Sequence, residues 1–297
     1  MVWHRYGANI AKERSEGGTG FKPPLDLSVG QAIVLGFFQG LTEFLPVSSS
    51  GHLVLLGQLF GLKEPDLTFS VMVHFGTLIA VMIALRAEVA LMLGGLRPVT
   101  KASSPDQVRL GRRLILLVVV GTIPAAVMGL LAKDFIEGLF GSVAFVGIAL
   151  LFTGSLLWWA EGRADHGRSL EQMVPKDALQ IGLWQIVALA PGVSRSGTTI
   201  SAGLFRGFSR ADAARFSFLL SLPTIAGAVV LEARGVFTAV SGGTWVPLLV
   251  GTLTATITGF LAIQGLLQLV KRHSLRVFSY YTWLVGFIVL ILPHFIR

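Results

Sequence analysis

The sequence predicts an all-α integral membrane protein, with about six transmembrane helices and two re-entrant helix-loop-helix hairpins related as an inverted repeat. Three observations carry that prediction. The 297 residues are 53% hydrophobic and 13% charged, with a mean hydropathy of +0.72, too apolar for a soluble chain of this size. Several stretches approach the ~20 apolar residues that a helix needs to cross the hydrocarbon. Two polar islands, Gln39 to Leu62 and Gln185 to Phe208, spell one motif twice. Laying Val47 on Val193 aligns Gln39 with Gln185, Ser48 with Ser194, Ser50 with Ser196, Gly51 with Gly197, Gly57 with Gly203 and Gly61 with Gly207. Backbone stops being helical at membrane depth only where protein or water satisfies it, so a Ser/Gly-rich break in both halves points to a binding site between them.

Residues 1–26 hold Arg5, Lys12, Glu13, Arg14, Glu16, Lys22 and Asp26 among Gly and Ser, with no long apolar run. They read as a polar N-terminal extension and not as a signal peptide. Residues 27–297 then form a single polytopic membrane domain. Ser28–Leu45 runs into the first Ser/Gly motif and is followed by the short apolar piece Leu53–Leu62, which makes the first hairpin. Spans are expected near Leu67–Leu85, Leu114–Leu131 and Val143–Ala160. Asp177–Ala190 and Ile200–Phe208 make the second hairpin, and Phe216–Leu231, Val246–Val270 and Val277–Leu292 are the remaining spans. The likeness continues past the motifs, with Phe69, Ser70 and Thr77 matching Phe216, Ser217 and Thr224 after a one-residue shift, so the repeat units are about 28–85 and 177–232.

Lys and Arg in the loops set the orientation. Arg86, Arg97, Lys101, Arg109, Arg112 and Arg113 in one connection, and Lys271, Arg272 and Arg276 in another, belong in the cytoplasm. The connections at Lys133–Glu137 and Glu232–Arg234 lack such an excess and suit the outside face. The Glu161–Asp177 loop, with three basic and four acidic residues, is undecided by charge. Threading the spans through these assignments inverts the two halves, places both chain ends outside and brings the hairpins tip to tip. The net charge of +8 fits membrane orientation and anionic lipid, not nucleic acid. The chain has no Cys, which excludes disulfides, thiolate metal sites and cysteine catalysis.

The chemistry-bearing residues sit in the two motifs. Gln39 and Glu43 lie four apart on one helix face. Pro46 stops that helix, and Val47 to His52 then offers hydroxyls, free N–H groups and an imidazole beside the next helix's N-terminus, an anion-binding surface with a titratable group. The second motif supplies Arg195, whose planar fork suits phosphate, among Ser194, Ser196 and Thr199. Glu43 reads as functional or as the structural partner of Arg195, since either charge is costly in a membrane unless paired. His52 is open to a capping role, and Gln39 to plain interhelical hydrogen bonding. Gly57, Gly61, Gly203 and Gly207 read as packing residues. His74, with no charged neighbour in sequence, reads as a satisfied core or interface histidine. The set fits phosphoryl transfer, and equally a bound anion that is only carried.

The strings QGLTEFLPVSSSGH at residues 39–52 and PGVSRSGTT at residues 191–199 resemble the two signature motifs of the undecaprenyl-diphosphate phosphatases, the bacitracin-resistance phosphatase family. The resemblance spans roughly Leu27 to Phe295. It implies an enzyme of the bacterial cytoplasmic (inner) membrane that converts undecaprenyl diphosphate to the monophosphate carrier of peptidoglycan and envelope-polymer synthesis. It further implies a site open to the periplasmic or exterior face, a divalent cation, Mg²⁺ or Ca²⁺, and bacitracin resistance. The family's acidic motif is Glu or Gln, three residues, then Glu. Here Gln39 cannot be a base, so Glu43 alone bears the acidic and metal-binding role. By position, Ser49 and His52 are the nucleophile and acid/base candidates, Arg195 the charge clamp, and Gln39, Ser48, Ser50, Ser194, Ser196 and Thr199 substrate-binding residues. Attack by Ser49, with His52 taking its proton, and direct attack by His52 both remain open. The partners implied are undecaprenyl diphosphate and membrane lipid, and a homodimer is compatible.

Two other readings compete. The acid-phosphatase-like lipid phosphatases share a Pro-Ser-Gly-His motif resembling Ser49 to His52, but their second motif needs a His where this chain has Ser201. An inverted-repeat transporter or flippase for a phosphorylated lipid or anion explains the architecture. It explains less well why one hairpin carries Glu43 and His52 while the other carries Arg195.

Overall fold

The computed structural model describes residues 27–60, 67–98, 104–132, 135–136, 139, 142–163, 167–239 and 245–291. The N-terminal extension, Gly61, Leu62 and most of the Lys133–Glu137 connection lie outside them. Eleven α-helices and no strands occur among the described residues: α1 (Val29–Phe44), α2 (Ser49–Leu59), α3 (Leu67–Ala84), α4 (Arg86–Gly95), α5 (Pro105–Leu131), α6 (Val143–Glu161), α7 (Pro175–Val187), α8 (Arg195–Phe205), α9 (Arg210–Ala239), α10 (Trp245–Leu269) and α11 (Arg276–Ile291). This is an all-α membrane protein. Four helices, α5, α6, α9 (over Arg210–Leu231) and α10, are long and apolar enough to span a bilayer alone, and α3 with α4 makes a fifth if that bent pair is one span. The shorter apolar α11 matches the last expected span.

Local signals account for the boundaries. Ser28 caps α1, its hydroxyl accepting from Gln31 N while Gln31 reaches back to the Ser28 N–H. Pro105 and Pro175 open α5 and α7 at positions where a missing N–H costs nothing. One expectation needs correction. The Arg86–Arg113 connection begins as a helix, α4, turned 83° from α3. Its Gly95 packs on Gly111 of α5, where an added Cβ would meet backbone.

Lipid tails offer helices no hydrophobic reason to associate, so close packing of small residues has to hold the bundle. Gly36 of α1 meets the carbonyl of Gly251 on α10, and Gly40 meets the backbone of Ala255 and Gly259. Gly182 of α7 meets the carbonyl of Gly121 on α5 in the same manner. The offset that aligns Ser48 with Ser194 also aligns Gly36 with Gly182. Each hairpin's first helix is therefore seated by an equivalent glycine on a long helix. Gly203 packs on Ala213, and Gly207 takes a left-handed φ of 80° just past α8. Gly57 is buried, but no described atom lies within 4 Å of where its Cβ would be.

The main core lies where α8 and α9 meet the end of α1. Phe44, Ile200, Leu204, Phe216, Phe218 and Leu219 are buried there, with Phe44 and Phe218 edge to face at 5.6 Å. Two buried carboxylates tie down the connections flanking the second hairpin. Asp177 accepts from Arg168 at 2.8 Å and pairs with Arg206 at 2.6 Å. Glu161 pairs with Arg210 and accepts from Leu275 N. Two of the four acidic residues in the Glu161–Asp177 loop are thus paired with arginines from beyond it, Arg206 and Arg210, so counting charge within the loop alone misses their partners.

Candidate active site

Both hairpins share a serine cap, reached by different turns. Leu45 precedes a proline and turns extended, which ends α1. Ser48 then takes a left-handed φ of 71°, the only described residue other than glycine to do so. Its Oγ accepts from Gly51 N at 3.2 Å and caps α2. In the second hairpin Gly192 makes the left-handed turn with φ 85°, and Ser194 Oγ caps α8 by accepting from Gly197 N at 3.0 Å. In both, the helix starts earlier than the sequence suggests. Ser49 and Arg195 are the first helical residues, and Ser50 to His52 form the first turn of α2 rather than a loop.

The internal bonds repeat as well. Ser48 Oγ lies 3.3 Å from Ser50 Oγ, and Ser194 Oγ lies 3.2 Å from Ser196 Oγ. His52 Nδ1 meets Ser48 O at 2.7 Å, and Thr198 Oγ1 donates to Ser194 O at 2.8 Å. Across the junction, Ser196 Oγ donates to Leu45 O at 2.9 Å, while Ser50 Oγ accepts from Gly192 N at 3.3 Å. The two tips thus touch through matched serines, and two helix N-termini, each a positive dipole end, meet at one place.

At that place lies the Glu43 carboxylate. Its Oε1 accepts from Arg195 Nη2 at 3.0 Å, and its Oε2 accepts from Ser49 Oγ at 2.7 Å and Gln39 Nε2 at 3.1 Å. Equivalent positions of the two hairpins therefore deliver a hydroxyl and a guanidinium to opposite oxygens of one carboxylate. Arg195 is held by Nη1 donating to Ser217 O at 3.1 Å, and Ser217 Oγ lies 2.7 Å from Thr199 Oγ1. Thr199 Oγ1 also lies on the Arg195 carbonyl at 2.8 Å, so it supports the site from behind without reaching Glu43. The ion pair is nearly sealed, with side-chain exposures of 8% for Glu43 and 14% for Arg195.

Not every expected residue joins this group. His52 Nδ1 is on Ser48 O, and its Nε2 lies 2.7 Å from the Tyr281 hydroxyl with the two rings stacked. Neither ring nitrogen bonds Ser49 or Glu43. His74 of α3, read from sequence as a core or interface residue, comes instead to the carboxylate. Its Nε2 is 4.0 Å from Glu43 Oε2, and its Nδ1 meets Ser70 O at 2.7 Å. Ser70 aligns with Ser217, but Ser70 O braces a residue of its own helix and Ser217 O one from α8, so the repeat did not mark His74.

No group of three or more His, Cys, Asp or Glu gathers among the described residues, so a closed structural metal site is not built here. The surroundings of Glu43 nonetheless suit a hard cation shared with phosphate oxygens. Gln39 is fully buried, and its Oε1 has no hydrogen-bond partner, leaving an orphaned oxygen beside the carboxylate that its own Nε2 bonds.

Residues 32–288 match the family model described as bacitracin resistance protein BacA. The chain belongs to the BacA family. Among its relatives is an undecaprenyl-diphosphatase of Desulforapulum autotrophicum, 46% identical over 271 residues, covering 88% of this chain and 97% of that protein. Proteins of the same name from Carboxydothermus hydrogenoformans, 42% identical over 265 residues, and Halothermothrix orenii, 41% identical over 267 residues, cover 88% and 90% of this chain and 96% and 98% of their own lengths. BacA membership spans both hairpins and all the helices that support them.

Proposed function

We propose that this BacA protein is an undecaprenyl-diphosphate phosphatase. It removes the terminal phosphate of undecaprenyl diphosphate, returning the monophosphate carrier to peptidoglycan and envelope-polymer synthesis and conferring bacitracin resistance. The observation that carries this reading is the Ser49–Glu43–Arg195 constellation assembled from both hairpins. A hydroxyl already donating to a carboxylate, with a guanidinium on the other oxygen, supplies nucleophile, base and charge clamp.

In the reading that follows, Ser49 Oγ attacks the terminal phosphorus and passes its proton to Glu43 Oε2, which stands 2.7 Å away. The bond to the bridging oxygen breaks, undecaprenyl phosphate leaves, and water resolves the phosphoserine. Arg195 and the N–H groups at the starts of α2 and α8 stabilise charge on the transferring phosphoryl, the term expected to dominate such reactions. Ser48, Ser50, Ser194 and Ser196 shape the cradle, and Thr199 holds Ser217, which holds Arg195. His52 braces Ser48 in its left-handed conformation and is not needed as the base. A divalent cation, Mg²⁺ or Ca²⁺, held at Glu43 and Gln39 supplies neutralisation of the diphosphate's charge. The hairpins enter and leave the bilayer on single faces, and the site opens to the periplasmic side of the cytoplasmic membrane. One chain suffices for this site, and a homodimer would leave it unchanged.

Purified protein in detergent, given undecaprenyl diphosphate and Mg²⁺ or Ca²⁺, should release phosphate, and chelation, Glu43→Ala or Arg195→Ala should lower it by about a thousandfold or more. A carrier would need sealed vesicles to show any activity. Well-folded protein that releases no phosphate overturns the phosphatase reading in favour of lipid transport.

A further inference from the structure

The proposed phosphatase site contains an imidazole that neither the signature motifs nor the mechanism uses. We propose that His74 supplies a nitrogen ligand to the divalent cation held at Glu43, an inference that rests on the phosphatase reading for the cation's presence.

Three features point to it. His74 is braced as a metal-binding imidazole is braced: Nδ1 meets the Ser70 carbonyl at 2.7 Å, which fixes the tautomer and leaves the Nε2 lone pair facing outward. That lone pair faces Glu43 Oε2 at 4.0 Å. This separation is too long for a hydrogen bond, but two ligand bonds of about 2.0–2.2 Å span it. The third feature is placement. Arg195, held by Ser217 O, takes Oε1 of Glu43, while His74, held by Ser70 O on its own helix, approaches Oε2, so the two nitrogen groups address opposite oxygens of one carboxylate.

The buried Gln39 amide completes the argument. As it stands, Nε2 occupies Oε2 of Glu43 while Oε1 has no partner. Rotating the amide by half a turn sets two oxygens against each other, which is unfavourable unless a cation lies between them. With a cation there, Gln39 contributes oxygen, Ser49 keeps its bond to Oε2, and His74 contributes nitrogen. His74 is also open enough to take a ligand, its side chain being 31% exposed. A mixed nitrogen and oxygen set favours Mn²⁺ over Ca²⁺, because imidazole suits transition ions better than hard ones.

The test uses full-length protein in detergent, stripped of metal and loaded with Mn²⁺ in the presence of methylene diphosphonate, a diphosphate that is not hydrolysed. Pulsed electron paramagnetic resonance should show modulation from one imidazole nitrogen, shifted by ¹⁵N-histidine labelling. It should vanish in His74→Gln and persist in His52→Gln. Mn²⁺ affinity should fall roughly tenfold or more in His74→Ala, the range seen when support of a metal site is lost. His74→Gln, with an amide oxygen in that place, should retain Mg²⁺-dependent turnover better than His74→Ala. Wild-type protein that binds no Mn²⁺, or binds it without nitrogen modulation, overturns the inference, as does modulation that survives in His74→Gln. Phosphate release measured on the same preparations keeps the two readings apart. Turnover without a nitrogen-bound cation sinks only the His74 assignment, and a nitrogen-bound cation without turnover sinks the phosphatase.

Discussion

Removing Arg195 should do two separable things, and a double-mutant cycle with Glu43 distinguishes them. At 3.0 Å, an effective dielectric constant of about 20 gives an attraction of about 5 kcal/mol, much of it offset by the desolvation of two nearly sealed charges. The net worth of the pair is therefore modest, but stranding one partner is not. Arg195→Ala leaves Glu43 buried with the hydrogen-bond donors Ser49 and Gln39 and with His74 4.0 Å away, and it frees the Ser217 carbonyl. The loss of stability should be about 3–5 kcal/mol. Adding Glu43→Gln removes the stranded charge, so the double variant should be more stable than Arg195→Ala alone, with a coupling energy of about 1.5 kcal/mol or more. Activity should not follow stability. Each single variant and the double should lose about a thousandfold in phosphate release, some 4 kcal/mol of transition-state stabilisation. Unfolding midpoints and phosphate release measured on the same detergent preparations decide the matter. Stabilities that add within about 0.5 kcal/mol would show that the two charges are not coupled, and the site as described would be wrong.

Other expectations follow from single contacts. Ser49→Ala should abolish turnover while leaving methylene diphosphonate bound, and a fully active variant would eliminate serine attack. Tyr281→Phe removes the hydroxyl from His52 Nε2 and should cost about 0.5–1.5 kcal/mol of stability with far less effect on turnover than Ser49→Ala; equal losses in both would make the Tyr281–His52 pair part of the chemistry. Gly182→Ala forces a Cβ against the Gly121 carbonyl, where backbone cannot yield, and should cost about 1–3 kcal/mol, read as a lowered unfolding midpoint. Burial works to raise the Asp177 carboxyl, but hydrogen bonds from Arg168, Val174 N and Arg206 outweigh it and hold its pKa below the usual carboxylate value. Its contribution is thus present above the unfolded pKa and lost as pH falls through the lower folded one. Acid unfolding curves of wild type and Asp177→Asn should converge in that window, and parallel curves would refute the assignment.

How much of this was legible beforehand depended on whether a residue announced itself locally. Glu43 and Arg195 did, because a charge in apolar sequence must find a partner, and a duplicated motif says where two partners meet. Ser49 and Arg195 as first helical residues were less visible. The cue was Ser48 and Ser194, each three residues before a glycine N–H that it caps, but a run of serines and glycines reads as loop until a cap is assigned. His52 misleads for a related reason. In the motif it stands close to Ser49, yet one helical turn carries its ring back onto the Ser48 carbonyl, the same geometry that Thr198 adopts with no chemistry asked of it. His74 is the opposite case, far from the motif in sequence and silent in charge pattern, and brought to Glu43 only by the packing of α3. The repeat did not mark it either, since the position matching Arg195 is Ser49 and the position matching His74 is Ser221. Side chains whose chemistry diverges at equivalent positions, Ser49 and Arg195 here, are where chemistry was added to a common scaffold.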